Sequence, residues 1–437
     1  MSLSTPRRIV ITGMGLVSPL GNSHERLWEG LATGRSGVGR LRSLPTDHLP
    51  INFGAEAWDF TGQIQEFGKL EAAQQKTIRK GLKVMCREIQ MGVAAAQHAL
   101  QDAGLKLGGY DCDRTGCVYG SDYIMTVPDE FTEAVRHCVE EGRFQFARWA
   151  EQGLPRVTPL WLLKYLPNMP ASHLAIYNDL RGPSNSITLR EASANLALAE
   201  AYCTIARNSA DIMVVGATGT RVHPIRTVHV ALQEELAVGT GDPTLLSRPF
   251  DRDRAGLIVG EGAGAVILEE LQSAQARGAR ILGEIIGYGS SARMQADGTA
   301  ECDLAIETVL RLALKTSGLA PHDVGHINTH GAGTRRGDAQ EARAIARVFG
   351  SDGEAPPVVA AKSYFGNLGA GGGIVEFIAS LLALQHDCLF PILNYATRDP
   401  DCPIRAARSD DKPGDAFIKT NYSPQSQASA IVVRRFA

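Results

Sequence analysis

The sequence predicts an α/β fold in which helices cover mainly parallel sheets. Residues 192–208 have the spacing of an amphipathic helix, and the apolar run at residues 212–216 that follows is typical of a buried strand. Strands and helices that alternate in this way form parallel sheets covered by helices. The same alternation returns later as a strand at 281–288, a helix at 308–317, a strand at 327–329 and a helix at 339–349.

The elements at the two ends of the chain fit this scheme. Residues 9–12 form a β-branched run that ends at Gly13 and predicts a first buried strand, and residues 430–433 predict the last one. The glycines after the first run lack the full spacing of a phosphate-binding loop, so we expect no nucleotide site there. The alternation divides the chain into an N-terminal half at 1–255 and a C-terminal half at 256–437, and we place the active site at their junction.

A helical insertion is predicted at about residues 121–167, beyond a long helix at residues 80–103. It contains a charged amphipathic segment at residues 130–148 and the pair Trp149 and Trp161. We interpret it as a surface element. The alternative is a partner-binding face or a wall of a substrate tunnel.

The composition is that of an ordinary globular protein. Of the 437 residues, 44% are hydrophobic and 21% are charged, and the formal net charge is −3. With no long run of lysine or arginine, these values argue against a general attraction to nucleic acid or to an anionic membrane. No apolar run approaches the roughly 20 residues that span a bilayer, and the first residues lack the apolar core of a secretory signal. We therefore expect a cytoplasmic protein.

The cysteines are not spaced as a metal site or a redox site. They form neither a Cys-x-x-Cys pair nor a cluster with histidine, so we expect reduced thiols, no metal and no organic cofactor. The eight cysteines are Cys86, Cys112, Cys117, Cys138, Cys203, Cys302, Cys388 and Cys402.

Five ordered segments spread over the chain carry a resemblance to a known family. They read RRIVITGMGLVSPLG (7–21), NMPASHLAIYNDLRGPS (168–184), SRPFDRDRAGLIVGEGAGAVILEE (247–270), NTHGAGTRRGDAQEA (328–342) and KSYFGNLGAGGGIVE (362–376). In these segments the chain resembles the elongating β-ketoacyl synthases of the thiolase-like superfamily, which act on acyl groups borne by acyl carrier protein. The resemblance implies a five-layer αβαβα fold with two related halves, usually dimeric.

The resemblance places Glu191 at the position of the family's nucleophile. In the family a cysteine follows the Gly-Pro-Ser strand and opens the next helix, whose N-terminus stabilises a thiolate. Here residues 182–191 read GPSNSITLRE. A carboxylate is a weak nucleophile whose acyl product, a mixed anhydride, is unstable in water, so we expect the family's first chemical step to be missing. The same helix end favours an ionised Glu191, which could form an ion pair with His330.

The remaining family residues are carried over one by one. The first catalytic histidine falls on His330, the supporting lysine on Lys362, and the acidic residues that anchor their network on Asp338 and Glu341. The second histidine is replaced by Asn367, whose amide can still donate a hydrogen bond to a thioester carbonyl.

The C-terminal loop departs furthest from the family. Where the family has Asn-Ser-Phe-Gly-Phe-Gly-Gly-x-Asn, residues 421–429 read NYSPQSQAS. The gating phenylalanine and the glycines are lost in the stretch that contains Ser423, Pro424 and Gln425, and a proline stiffens the backbone there.

Four functions remain open from these residues. The first is a non-condensing subunit that resembles the chain-length factors, which lack the cysteine and pair with an active ketosynthase to shape its acyl tunnel. The second is a cysteine-independent reaction, either decarboxylation of a malonyl thioester, which requires a protonated Glu191, or acid–base chemistry by Glu191 and His330. The third is an active 3-oxoacyl synthase with an unrecognised nucleophile, for which Ser193 is the nearest hydroxyl and Cys203 is too distant. The fourth is an unrelated binding role on the same scaffold.

The partner that the resemblance implies is an acyl carrier protein. Its phosphopantetheine would be part of the substrate and not a cofactor. We expect a homodimer, or a heterodimer with a cysteine-bearing ketosynthase, and neither nucleic acid nor a membrane span. Fatty-acid and polyketide biosynthesis share these motifs, so both pathways stay open.

Overall fold

A computed structural model of the protein describes residues 7–350 and 355–436. Within these residues the strands are β1 (Ile9–Val17), β2 (Gly39–Arg40), β3 (Phe53–Gly54), β4 (Thr115–Ser121), β5 (Val139–Glu140), β6 (Arg143–Phe144), β7 (Ser184–Thr188), β8 (Ile212–Thr220), β9 (Glu261–Glu270), β10 (Gly283–Ala292), β11 (His326–Asn328), β12 (Val358–Val359), β13 (Ala416–Tyr422) and β14 (Gln427–Arg434). The α-helices are α1 (His24–Thr33), α2 (Ala72–Gly81), α3 (Arg87–Asp102), α4 (Asp129–His137), α5 (Met169–Asn178), α6 (Ser193–Ala206), α7 (Pro224–Gln233), α8 (Leu271–Ala276), α9 (Cys302–Ser317), α10 (Arg335–Phe349), α11 (Lys362–Phe365) and α12 (Gly372–His386).

The main sheet consists of two halves with the same strand order. It is ten-stranded, in the order β12-β11-β13-β14-β10-β1-β9-β8-β4-β7. Numbered along the chain within each half, the sets β12-β11-β13-β14-β10 and β7-β4-β8-β9-β1 both run third, second, fourth, fifth, first. This repeat agrees with the two related halves that the resemblance implies. Because β9 pairs with β8 and β1, strand pairing groups residues up to Glu270 with the first half, beyond the boundary predicted at residue 255.

Helices α6 and α12 lie between the two halves and form the central layer. Helix α6 contacts β4 and β8 of the first half and β14 of the second, and α12 contacts β8, β9 and β13. Every residue of α12 from Gly372 to Leu384 is buried, as expected for a helix that is apolar around its whole circumference. Helix α3 covers the first half on its other face and α9 covers the second. The layers therefore follow the αβαβα order.

The sheet is mixed, whereas the sequence predicts mainly parallel sheets. Strand β4 runs parallel to β7 and β8, and β11 runs parallel to β12 and β13. The other pairs of the main sheet are antiparallel. The reason is visible at β13 and β14, which are joined by residues 423–426 and not by a crossover helix. A direct turn of this kind brings the next strand back antiparallel.

The predicted elements lie close to the observed ones except at residues 80–103. Strand β8 and helices α6, α9 and α10 cover nearly all of their predicted ranges. The single long helix is instead the end of α2 and all of α3, because Met85 between them adopts an extended backbone with φ −120° and ψ 124°.

The segment at residues 121–167 is less helical than predicted. Its α-helix is α4, which is followed by the two-stranded β5–β6 ribbon and by short turns. Glu141 and Gly142 have φ angles of 50° and 75°, and two successive positive φ angles favour a tight hairpin over a continuing helix. Phe131 packs against Trp161 with ring centroids 4.9 Å apart, while Phe146 is 77% exposed.

The length and apolar character of the helices show whether any of them could cross a membrane. None of the helices in residues 7–350 and 355–436 combines the length and the apolar character that a crossing needs. Residues 1–6, on which the prediction about a secretory signal rests, lie outside the described residues.

Gly15 allows α3 to lie directly against β1. A Cβ atom on this residue would be 2.3 Å from the Ala95 carbonyl oxygen and 2.5 Å from the Ala99 nitrogen. We predict that Gly15→Ala lowers the free energy of unfolding by about 1–3 kcal/mol, the usual cost of overpacking a core, as measured by urea denaturation. The control is Gly241→Ala, because a Cβ there has no neighbour within 4 Å. Equal losses in the two variants would contradict this account of the packing.

Candidate functional site

The predicted site residues come together where the two halves meet. Glu191 lies between β7 and α6, His330 follows β11, Lys362 begins α11, and Asn367 lies in the loop after α11. All four are buried. Asn367 Nδ2 donates to Glu191 Oε1 at 3.2 Å, and Lys362 Nζ lies 3.4 Å from His330 Nδ1.

The turn into α6 is held by Ser193 and contains a residue of unusual conformation. Arg190 has a φ of 53°, in the left-handed region that residues other than glycine rarely adopt. Ser193 Oγ accepts a hydrogen bond from Leu189 N at 2.8 Å and donates one to Ser121 O at 2.8 Å. The hydroxyl of Ser193 is therefore committed to main-chain atoms, which argues against its use as a nucleophile.

Glu191 forms its ion pair with an arginine and not with His330. Its Oε1 atom accepts a hydrogen bond from Arg221 Nη2, and its Oε2 atom lies 3.5 Å from Arg190 Nε. Among the residues that the structure describes, no hydrogen bond joins Glu191 to His330. The arginine thus replaces the histidine that the sequence analysis considered as the partner.

The arginines keep Glu191 ionised. Burial alone would raise the pKa of its carboxyl group, but Arg221 and Arg190, with a smaller contribution from His330, hold that pKa well below its ordinary range. A protonated Glu191, which decarboxylation of a malonyl thioester requires, is not the form that this site favours.

Two arginines and two glutamates form a closed set of charges here, which we name the inner ion cluster: Arg190, Glu191, Arg221 and Glu234. Arg221 donates to both glutamates, with 2.9 Å between its Nη1 atom and Glu234 Oε1. Arg190 donates to Glu234 as well. Arg221 is only 1% exposed. Because a buried guanidinium without partners is strongly destabilising, the balance of charges is what allows this burial.

A second buried set of charges, the outer ion cluster, consists of Glu88, Asp122 and Arg226. Arg226 forms ion pairs with Asp122 and with Glu88, whose Oε1 atom lies 3.3 Å from Arg226 Nη1. Burial raises the pKa of Glu88 to about 7. Burial also raises the pKa of Asp122, and the nearby charge of Glu191 adds to that rise. The sequence contains one signal for both clusters, the arginines at 221 and 226 just after β8, but nothing in it identifies their partners.

His330 is held as a neutral hydrogen-bond donor. Its Nδ1 atom faces two donor groups, Lys362 Nζ and Asn421 Nδ2, each at 3.4 Å, so we assign the ring proton to Nε2. Burial lowers the pKa of His330 well below its ordinary value, and Lys362 and Lys419 lower it further against the opposing effect of Glu191. A neutral imidazole of this tautomer can donate to a carbonyl oxygen, but the protonated form that an acid–base cycle needs is disfavoured.

A buried carboxylate fixes the lysine beside His330. Glu376 lies 2.6 Å from Nζ of Lys362 and 2.6 Å from Nζ of Lys419. Burial opposes the ionisation of Glu376, but the two lysines hold its pKa below the ordinary range. Burial lowers the pKa of Lys419 to about 8. Lys419 is not predicted from the sequence, because a single lysine in the apolar run of β13 has no spacing that marks it as functional.

Asp338 and Glu341 anchor the loop that carries His330. Glu341 accepts hydrogen bonds from His330 N at 2.8 Å and from Gly331 N at 2.9 Å. Asp338 accepts one from Gly333 N at 3.1 Å. Burial raises the pKa of Asp338 to about 7 and also raises the pKa of Glu341. Both carboxyl groups therefore act on the main chain of the loop.

Ser423, Pro424 and Gln425 lie in the turn between β13 and β14. Ser426 N donates to Ser423 O at 2.9 Å, and Ser426 has a φ of 67°. Gln425 Oε1 accepts a hydrogen bond from Arg190 Nη1 at 3.4 Å. The turn thus contacts the inner ion cluster, and its own residues bring no aromatic ring to the site.

A pocket of about 410 Å³ leads to His330. His330, Tyr422 and Glu234 are on its wall, together with the exposed Pro424 and Arg336. The ring centroid of Tyr422 lies 4.4 Å from that of His330. Glu191, Arg221 and Asn367 do not line the pocket, so the pocket reaches the inner ion cluster at Glu234 and not at Glu191.

Cys302 is a thiol on the pocket wall that the sequence analysis did not single out. Its Sγ atom lies 3.8 Å from Pro424 O and 3.9 Å from Ser423 O. Burial raises the pKa of this thiol, which keeps it in the weakly nucleophilic protonated form. Cys203, which the sequence analysis considered, lies late in α6 with its Sγ atom 3.3 Å from Tyr288 Oη.

The pair of Glu191 and Arg221 gives a prediction for stability. Arg221→Met should lower the free energy of unfolding by about 3–5 kcal/mol, because it leaves a buried carboxylate without its main partner. The double variant Glu191→Gln with Arg221→Met removes both charges and should lose much less. Urea denaturation of the two variants and the wild type measures the difference, and equal losses would refute the pairing.

The same variants give a pH dependence. The pKa of Glu191 is lowered in the folded chain, so its stabilising effect is complete above the unfolded glutamate pKa of about 4.3 and is lost as pH falls through the folded pKa. The stability difference between wild type and double variant should therefore shrink below pH ~4. A difference that grows on acidification would contradict this sign.

Lys419 gives a prediction for His330. Because the positive charge of Lys419 lowers the pKa of His330, Lys419→Met should raise that pKa. The measurement is an NMR titration of selectively labelled histidines, with His330→Asn used to assign the signal. The control is Lys412→Met, since Lys412 is an exposed lysine paired with Asp387. An unchanged titration of His330 in the Lys419 variant would refute the coupling.

Comparison with known proteins identifies the family. The domain described as "Beta-ketoacyl synthase, N-terminal domain" matches residues 6–274, and "Beta-ketoacyl synthase, C-terminal domain" matches residues 282–396. The chain is 31% identical over 401 residues to 3-oxoacyl-[acyl-carrier-protein] synthase 2 of Synechocystis sp., covering 91% of this chain and 90% of the relative. Two solved structures are similar over 99% of this chain and 100% of their own: a β-ketoacyl synthase from Burkholderia phymatum (TM-score 0.84, 27% identity) and the ishigamide ketosynthase/chain length factor (TM-score 0.82, 26% identity). With both domains matched, the chain belongs to the β-ketoacyl synthase family and has its thiolase-like fold.

Proposed function

We propose that this protein is a non-condensing subunit of the ketosynthase type, comparable to a chain-length factor, that works beside a cysteine-bearing ketosynthase. The observation that carries the proposal is the buried Glu191, paired with Arg221, at the position that the resemblance assigns to the nucleophile. Its carboxylate is neutralised by Arg221 and does not line the pocket. It therefore lacks both the reactivity and the access that attack on a thioester requires.

The turn at residues 423–426 supports the same proposal. In the family this loop carries a phenylalanine that gates the site, whereas here Gln425 bonds to Arg190 of the inner ion cluster. A gate has no purpose where no acyl group is loaded. One of the similar structures is the ishigamide ketosynthase/chain length factor, and the role of a chain length factor needs the fold without the nucleophile.

His330 favours a second candidate function, a cysteine-independent reaction on an acyl or malonyl thioester. Its Nε2–H is suited to polarise a thioester carbonyl, and it lines the pocket. Two features count against the particular reactions considered. Ionised Glu191 would repel the carboxylate of a malonyl group, and the lowered pKa values of Glu191 and His330 leave neither group ready to exchange a proton near neutral pH.

An active synthase with another nucleophile has less support. Ser193 donates its hydroxyl to a carbonyl oxygen, and Cys203 lies along α6 beside Tyr288. Cys302 lines the pocket, but burial raises its thiol pKa. None of these three groups has the activated form that covalent catalysis requires.

The proposed partners are an acyl carrier protein and a second chain of the ketosynthase type. Acyl carrier protein appears in the name of the relative from Synechocystis. A heterodimer is favoured over a homodimer, because two copies of this chain would have no acyl-accepting cysteine at either site. We place the protein in the cytoplasm and assign it no cofactor, since phosphopantetheine would arrive as part of the substrate.

Mass spectrometry after incubation with acylated carrier protein tests the proposal. We expect the purified chain alone to show no stable acyl adduct. Glu191 occupies the position at which the family's cysteine carries the acyl group, and an anhydride formed there would hydrolyse. In a complex with its co-purified partner, the adduct should appear on the partner's cysteine alone.

Glu191→Gln is the matched control, because it keeps the shape of the side chain and removes its charge. It should also remain unloaded. A stable acyl ester on the wild-type chain alone would overturn the proposal. Release of carbon dioxide from malonyl carrier protein that disappears in His330→Ala would favour the second candidate instead.

A further inference from the structure

We propose that the outer ion cluster is a proton switch, in which Glu88 holds one proton and releases it to solvent as the pH rises through neutrality. Loss of the proton loosens the hold of Arg226 on Tyr123, near the start of the segment at residues 121–167. The switch is independent of the proposed non-condensing role, because the outer ion cluster does not line the pocket beside His330.

The outer ion cluster contains one carboxyl group more than its arginine can neutralise. Arg226 is shared by Glu88 and Asp122. The charges on either side are already balanced, since the inner ion cluster has two arginines and two glutamates, and Glu261 accepts two hydrogen bonds from Arg87 at 2.6 and 2.8 Å. A second ionised carboxylate in the outer ion cluster would therefore have no counter-ion, which is costly for a buried group.

The hydrogen bonds indicate that Glu88 is the carboxyl group that keeps the proton. Both oxygens of Asp122 are in use, because Oδ1 accepts from Tyr123 N at 2.8 Å and Oδ2 accepts from Arg226 Nη2. Glu88 uses its Oε1 atom, which accepts from Thr220 N at 2.6 Å and from Arg226 Nη1 at 3.3 Å. Within the described residues no hydrogen bond reaches Glu88 Oε2, so this oxygen can carry the proton.

Burial and nearby charges set the pH range in which Glu88 releases the proton. Burial raises the pKa of Glu88 to about 7. The neighbours that act on this carboxyl group are Asp122 and Glu261, which raise its pKa, and Arg226 and the Thr220 N–H group, which lower it. A change of pH near neutrality therefore changes the charge of Glu88.

The other titratable groups beside the cluster do not take over this role. Burial and Glu191 raise the pKa of Asp122, but Arg226 and the two arginines of the inner ion cluster oppose the rise. Burial, with the charge of Arg226, lowers the pKa of His223 to about 4. Burial, with the charge of Glu88, raises the pKa of Cys86 to about 12. The histidine and the thiol are therefore uncharged near neutral pH.

One nitrogen atom of Arg226 couples the proton to the segment at residues 121–167. Nη1 donates to Glu88 Oε1 at 3.3 Å and to the carbonyl oxygen of Tyr123 at 2.8 Å, and the guanidinium lies 4.6 Å from the ring centroid of Tyr123. Because a hydrogen bond to an ionised carboxylate is shorter and stronger than one to a neutral carboxyl group, loss of the proton draws Nη1 toward Glu88 and away from Tyr123. The segment, which presents Phe146 to solvent, then gains freedom at its start.

Infrared difference spectroscopy tests the proton. Between about pH 5.5 and about pH 8.5, the wild type should lose the C=O band of one protonated carboxyl group more than Glu88→Gln does. Asp338, whose pKa burial also raises to about 7, contributes equally to both chains. Glu29→Gln, which changes an exposed glutamate, is the control and should lose as much as the wild type.

Asp122→Asn gives the same test should Glu88→Gln fail to fold. This variant removes the surplus carboxylate and leaves Arg226 to Glu88 alone, so Glu88 should be ionised over the whole range. It should therefore also lose one protonated carboxyl band fewer than the wild type. An equal loss in the wild type and in either variant would overturn the assignment of the proton.

Hydrogen–deuterium exchange tests the coupling to the segment. At about pH 8.5 the amides of residues 122–127 should exchange at least about threefold faster in the wild type than in Glu88→Gln, and at about pH 5.5 the two chains should exchange equally. Comparison at one pH removes the intrinsic pH dependence of exchange. Equal exchange at the higher pH would overturn the coupling to Tyr123, and it would leave the proposed function intact, because that function is tested by acyl loading.

Discussion

The ion pair between Glu191 and Arg221 is the interaction on which the interior of the site depends. Glu191 comes from the turn between β7 and α6, and Arg221 follows β8, so the pair ties together two strand ends of the first half. Asn367 adds a contact from the second half. Because each charge is buried, neither can lose its partner without leaving an uncompensated ion. Charge balance, and not the shape of a substrate, therefore determines how this part of the site is packed.

The histidine side of the site depends on a separate network. Lys362 and Lys419 share Glu376, and Lys362 also donates to the carbonyl oxygen of His330 at 2.9 Å. The two networks are coupled through their charges, because Glu191 raises the pKa of His330 while Arg221 lowers it. The result is a site with a neutral histidine at the pocket and a glutamate carboxylate that is paired with arginine.

Local patterns in the sequence account for much of the fold. The periodicity of α6 and α10 and the apolar run of β8 were sufficient to locate those elements, and the ordered motifs placed His330 and Lys362 together. The direction of β14 could not be predicted, because it depends on whether a turn or a crossover precedes it. Contacts such as Arg221 with Glu234 also could not be predicted, since they depend on how a strand end and a helix end pack in three dimensions. The resemblance drew attention to His330 as the partner of Glu191, whereas the packing supplied an arginine.

Retention of the family's acidic residues is not in itself a sign of catalysis. Glu341 binds the main-chain N–H groups of His330 and Gly331, and Asp338 binds that of Gly333. A loop whose buried N–H groups lost these acceptors would be destabilised whether or not the histidine took part in a reaction. A chain that has given up condensation would therefore still need both carboxyl groups in order to fold. The proposal of a non-condensing role therefore rests on Glu191 and its arginine partners, and not on the carboxyl groups that hold the His330 loop.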